Sequence, residues 1–176
     1  GLAGAVCLAR EGLSVLIVEA ADETGGGLRS AELTLPGYVH DICSAIHPLT
    51  IASPFFQTLP LEKFGLEFVQ PTSSVAHPLD DGTAVLLKKS IAETAAALGA
   101  DGENYKELVA YFTENWEALV PDILAPLRVP NHPFLLARFG LKAFRSAKGL
   151  ADSYFSGKRA RALFAGNAAH AMVPLE

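Results

Sequence analysis

The sequence predicts an α/β fold that turns α+β over its full length, and three observations predict it. The first twelve residues, GLAGAVCLAREG, have helical character, and SVLIVEA at 14–20 follows as a continuous apolar run. Next come a glycine cluster and two stretches of alternating apolar and polar residues, 23–42. From Ser90 onward the chain reads almost entirely as helix.

The opening helix is built of small and apolar residues, is closed by Arg10 and Glu11, and is stopped by Gly12. A β-branched run such as 14–20 suits a strand buried on both faces, as in a parallel sheet. ETGGGLRS at 23–30 is a turn. Strands are expected near 31–35 and 38–42, joined by Pro36-Gly37. Residues 53–64 suit short helical turns, with Ser53 as cap and Pro54 at the first helical position. LEFVQ at 66–70 reads as a short strand, and 75–87 as a hairpin turning at Asp81-Gly82. Helices follow over SIAETAAALGA and DGENYKELVAYFTENWEALV. In the second, Leu108, Tyr111, Phe112, Trp116, Leu119 and Val120 recur at helical spacing as a core stripe. Pro121, Pro126, Pro130 and Pro133 punctuate the next stretch, and helices are expected again at about 134–148 and 149–171. The change of character divides the chain into 1–88 and 89–176.

Composition excludes several classes. Half of the 176 residues are apolar and 19% are charged, an ordinary globular balance. The net charge of −5 and the lack of a dense basic run argue against a nucleic-acid partner. Lys158, Arg159 and Arg161 read as a solvated helix face. Two cysteines, Cys7 and Cys43, make no disulfide framework and suit a reducing compartment, so a cytoplasmic location is expected. No apolar run approaches the ~20 residues of an integral membrane helix. His40, Cys43 and His47 form H-x2-C-x3-H without a fourth ligand at a zinc spacing. No serine stands in a nucleophile elbow, and His77, His132 and His170 are isolated and read as structural.

The chemistry concentrates at the start. Gly1, Gly4 and Ala5 open a helix, and Glu19 ends the run that follows it. A dinucleotide fingerprint is G-x-G-x-x-G at a strand-to-helix turn, with an acid about 20 residues on. If Gly1 is its third glycine, the first strand and two glycines lie upstream, and the unit is Rossmann-like without its first strand. The helix start then faces a pyrophosphate, since its N–H groups and partial positive charge favour an anion. Glu19 would accept from a ribose diol and repel a 2′-phosphate, favouring FAD or NAD over NADP. The plainer alternative is a helix–strand pair of any α/β protein with Glu19 solvated. Gly25 and Gly26 offer close backbone approach to phosphate and Arg29 a cation, unless the cluster is simply a flexible turn.

The stretch from Gly1 to about Pro48 resembles flavoprotein oxidoreductases of the phytoene desaturase and amine oxidase superfamily. The likeness is greatest to the phytoene dehydrogenase-like branch, of the pyridine nucleotide-disulfide oxidoreductase domain-containing 2 type. LSVLIVEAADETGGGLRSAELTLPGYVHDICSAIHPL carries it, with ASPFFQTLPL, AHPLDDGTAVLL and LFAGNAAHAMVPLE beyond. The resemblance implies FAD as cofactor, a small apolar substrate, Glu19 on the adenosine ribose, and Gly25 and Gly26 beside the pyrophosphate. It further implies Ser44, Ala45 and His47 near the flavin. Gly27 stands where many members carry Arg, and Cys43 where Gly is commoner. It implies a helical substrate or cap region for 89–176 and a parent of several hundred residues. Two other readings stay open: a truncated piece that binds no cofactor, and an NAD-dependent Rossmann dehydrogenase.

Overall fold

The computed structural model describes residues 1–124 and 126–176. By its own contacts the chain forms two compact units, Gly1–Ser53 and Pro54–Glu176.

The first unit opens with α1 (Leu2–Arg10), with Gly1 as its N-cap residue and Arg10 in its last turn. Residues 14–20, expected as a parallel strand, form no ladder with any described residue. A strand exists only through a partner's N–H and C=O groups. The segment keeps its β-forming side chains but lies in the open, with Leu16 87% and Val18 85% exposed. The strands expected nearby do form. β1 (Ser30–Glu32) and β2 (Val39–Asp41) pair antiparallel, Ala31 opposite His40. Their Pro36-Gly37 turn is closed by the Tyr38 N–H donating to Leu35 O at 3.1 Å. Helix α2 (Pro48–Ala52) then begins on Pro48 with His47 as its N-cap residue. Ser53 closes this helix, and the next begins with Pro54 at its first position, as expected.

The second unit begins with α3 (Pro54–Gln57) and a 3-10 turn at Leu61–Phe64. Residues 66–70 form no strand, for the same want of a neighbour. The next hairpin pairs β3 (Ser73–Pro78) with β4 (Ala84–Lys88). Asp81 shapes its turn by accepting from the Thr83 N–H at 2.9 Å and the Thr83 hydroxyl at 2.7 Å. Unlike the division drawn from sequence character, this hairpin stands with the helices that follow.

Those helices are α4 (Ile91–Ala96), α5 (Gly102–Glu114), α6 (Trp116–Ile123), α7 (Pro133–Ala143), α8 (Ala147–Tyr154) and α9 (Lys158–Ala168). α4 starts on a Ser90 side chain that accepts the Glu93 N–H at 3.3 Å. The core gathers Val85, Leu98, Leu108, Leu150, Ala151, Phe155, Ala160 and Leu163. It is therefore a hairpin strand covered by α5, α8 and α9. Of the expected stripe, Leu108, Leu119 and Val120 are buried, whereas Trp116 stays about half exposed. The helix expected over 101–120 breaks at Asn115, whose side-chain N–H donates to Tyr111 O at 2.8 Å.

Polar groups fix the corners. Asp101, almost fully buried, accepts from Ser156 N at 2.9 Å, Ser156 Oγ at 3.0 Å and Gly157 N at 2.7 Å. This clamp splits the helix expected over 149–171 into α8 and α9. The Ser156 N–H foremost, then Gly157 and the Ser156 hydroxyl, hold the Asp101 carboxyl below the usual range against the opposing effect of burial. Arg159, expected to be solvated, donates to Ala84 O at 2.7 Å and Thr83 Oγ1 at 3.0 Å, tying α9 to the hairpin. Asp122 accepts the N–H groups of Asn131 at 2.8 Å and His132 at 2.7 Å, joining the end of α6 to the start of α7.

Candidate functional site

The start of α1 is bare. Gly1 has no side chain to accept a first-turn N–H, and that turn holds no acidic residue. A Cβ built on Gly1 or Gly4 would meet no heavy atom within 4 Å. Small residues such as Gly1, Gly4 and Ala5 suit close packing of a helix on a sheet, but no ladder forms over 14–20 to receive this one. The free N–H groups of this first turn remain open for an anion.

Glu19 lies at the end of the apolar run, and its carboxylate turns back on the chain. Oε1 accepts the Ala20 N–H at 2.8 Å and the Ala21 N–H at 3.1 Å. The side chain is exposed, and Oε2 leaves acceptor capacity for a further donor.

The glycine cluster is a built turn. Gly25 has φ +129° and Gly26 +62°, a region L side chains rarely enter. The Leu28 N–H closes the turn on Gly25 O at 3.1 Å, and a Cβ on Gly25 would lie 2.9 Å from Leu28 O. Both position and space therefore call for glycine at 25. Arg29 directly precedes β1, and its carbonyl accepts the Ile42 N–H at 2.9 Å.

The β1–β2 hairpin carries the chain back to this turn. A Cβ on Gly27 would sit 3.7 Å from Cys43 Cβ, so the cluster lies beside the 43–45 stretch. Ser44 and His47 are half-buried and Ala45 is exposed. The hairpin thus brings Gly27 and Arg29 beside Cys43 and Ile42, the residues just ahead of Ser44 and Ala45. It does not reach the start of α1, which stands in open space.

A different feature escaped the sequence reading. Within the second unit, α5, α6, α7 and α8 leave an apolar cavity of about 290 Å³ lined by Leu108, Phe112, Trp116, Phe139, Lys142 and Leu150. Phe112 and Phe139 meet edge to face at 5.5 Å on its wall. Lys142, its one cation, donates to the Tyr154 hydroxyl. Trp116 was the available signal: read as core, it stands at this cavity half exposed.

The match to known families falls on the first of these regions. Residues 1–59 match the NAD(P)-binding Rossmann-like domain. This Rossmann-like segment holds α1, Glu19, the glycine turn, the β1–β2 hairpin and α2, and so contains every residue selected above from sequence. The chain is also similar to a limonene dehydrogenase subunit of Castellaniella defragrans, 30% identical over 126 residues. That similarity covers 69% of this chain and 23% of the relative, so the chain spans about a quarter of the curated protein it matches. No solved structure matches. Among the described residues no helix is long and apolar enough to cross a membrane.

Proposed function

We propose that the chain is part of an FAD-dependent oxidoreductase of the phytoene dehydrogenase-like branch, which moves a hydride from a small apolar substrate to flavin. The observation that carries this reading is the glycine turn at 25–26, with positive φ at both positions and beside the 43–45 stretch, inside a Rossmann-like segment. Its backbone can approach a phosphate more closely than any residue with a Cβ would allow.

The residues present fit a dinucleotide. Gly1, Gly4 and Ala5 would leave the α1 N-terminus clear for the pyrophosphate, and Gly25, Gly26 and Arg29 would offer a phosphate close backbone approach and a cation. Glu19 would accept from the ribose hydroxyls and repel a 2′-phosphate, which favours FAD or NAD over NADP. Ser44, Ala45 and His47 would lie near the flavin ring. When bound, the flavin supplies the redox chemistry, and the protein supplies position and electrostatics. The apolar cavity of the second unit supports a hydrocarbon-like substrate, since such pockets bind by shape and desolvation. The relative's printed name, that of a dehydrogenase component, agrees with the reaction class.

The purified protein in its longest natural form should be yellow, with flavin absorption that Glu19→Arg diminishes. A colourless, flavin-free protein would sink the reading. A second reading rests on its own observation, the exposed and unpaired 14–20 segment. On that reading the 176-residue chain alone binds FAD weakly and tends to aggregate. Titration of this chain with FAD decides it, and low-micromolar affinity refutes the second reading.

A further inference from the structure

The apolar cavity of the second unit carries one charge on its wall. Leu108, Phe112, Trp116, Phe139 and Leu150 make up most of the lining, and no acidic residue belongs to it. The Thr113 hydroxyl, also at the wall, is turned onto its own helix, where it donates to Val109 O at 3.0 Å. Lys142 is thus the charged group beside the space.

The position of this cation is fixed. Lys142 lies near the end of α7 and is half-buried. Its ammonium stands 4.5 Å from the centroid of the Tyr154 ring and donates to the Tyr154 hydroxyl. Tyr154 packs against the core at the end of α8, and its carbonyl accepts from the Asn104 side chain at 2.8 Å. A lysine at an apolar surface usually carries its charge out into water. This one is drawn back onto an aromatic side chain at the rim of a cavity.

No carboxylate answers it. Lys106 and Lys148 meet Glu103 at 2.7 Å and Glu176 at 2.9 Å, whereas Lys142 forms no ion pair among the described residues. An ammonium has three donors, and Tyr154 takes one. The Tyr154 hydroxyl accepts from Lys142 and so keeps its own proton to donate. The two groups are adjacent, and one carboxylate can meet both through charge-assisted hydrogen bonds. A half-buried cation beside an apolar wall is poorly hydrated, so an anion placed there gains more than it would in open water. Volume sets the length of the ligand. A methylene takes about as much room as a water's share of the liquid, about 30 Å³. The cavity of about 290 Å³ therefore holds about ten carbon atoms.

We propose that this cavity binds a monocarboxylate, with an apolar body of about ten carbons between the helices and its carboxylate on the Lys142 ammonium and the Tyr154 hydroxyl. The inference rests on the reading of the cavity as the substrate pocket, and it narrows that substrate to an acid with an apolar tail. A neutral hydrocarbon would fill the same walls and leave the ammonium without an anion.

The test uses the full chain and its single tryptophan, Trp116, which lines the cavity and reports its occupancy by fluorescence. The protein is titrated at neutral pH, where a carboxylate is ionised, with decanoate and with decan-1-ol, each below the concentration at which it aggregates. Decanoate is expected to bind about tenfold more tightly. Lys142→Met keeps an apolar stem and should abolish this preference while binding of the alcohol is unchanged. Lys142→Arg should retain the preference, and a merely structural lysine would instead alter both ligands alike. Tyr154→Phe should weaken decanoate by about threefold. Ala143→Phe narrows the space and should weaken both ligands, and unchanged binding there would overturn the proposal by placing the acid elsewhere. Equal affinity for acid and alcohol, or decanoate binding unaffected by Lys142→Met, overturns the proposal and leaves the cavity a pocket for a neutral substrate. A Trp116 signal that responds to neither ligand overturns the proposal and the pocket reading together, while flavin absorption remains a separate measure of the redox reading.

Discussion

The two units of this chain are stabilised by different means. In Gly1–Ser53 no residue is fully buried, and order comes from near-neighbour contacts: the α1 hydrogen bonds, the glycine turn at 25–28 and a three-residue hairpin. In Pro54–Glu176 a hairpin strand is roofed by helices, and side chains far apart in sequence meet in one core. Apolar content does not separate them, because Leu13, Val15, Leu16, Ile17 and Val18 are as apolar as any core segment. What separates them is whether the apolar side chains have a surface to meet.

The largest expected effect lies in the second unit. A Cβ on Gly102 would come within 2.5 Å of Ala95 O, a backbone atom with little room to retreat. Alanine at a helix position is otherwise favoured by up to about 1 kcal/mol over glycine. The overlap outweighs that gain, so Gly102→Ala should destabilise by about 3 kcal/mol. Denaturant unfolding followed by circular dichroism measures it, and an unchanged or raised midpoint would show that α4 and α5 do not meet as described.

A middling effect comes from the Asp101 clamp. Asp101→Ala would remove the acceptor that pairs the Ser156 and Gly157 N–H groups and the Ser156 hydroxyl, a loss of about 2 kcal/mol. Because the folded-state carboxyl is held below its ordinary value of 3.8, the clamp contributes fully above that pH and is lost as pH falls through the folded value. The stability gap between native and variant should therefore be constant at neutral pH and narrow below about pH 4. A gap that stays level into acid would assign the effect to packing instead of to the charge.

The same contrast explains what could be read in the sequence. Both hairpins were legible, because Pro36-Gly37 and Asp81-Gly82 specify their turns within a few residues. The start of α4 at Ser90 was legible for the same reason. The glycine turn was legible as a place of close backbone approach, since three successive glycines are a local signal. The break between α8 and α9 was not, since the Asp101 carboxylate that enforces it lies 55 residues away from Ser156. Trp116 misled because helical spacing reports which residues share a face, and the cavity beside that face leaves no trace in the spacing. Residues 14–20 and 66–70 carry strand propensity, and propensity supplies no partner.

The smallest expected effect tests the first unit most directly. In a strand buried on both faces, replacing Leu16 or Val18 by serine would cost several kcal/mol, through lost transfer energy and the cavity left behind. Both side chains are already largely in water, so Leu16→Ser and Val18→Ser should each change stability by no more than about 0.5 kcal/mol. They should also reduce aggregation, because an exposed unpaired β-forming segment is a site for edge-to-edge association. Thermal melting combined with light scattering reads both quantities. A large destabilisation would mean that 14–20 finds cover in solution, and adding FAD to the same melt tells what provides it: a loss that appears only with the dinucleotide present would mean that binding itself draws this segment into a sheet.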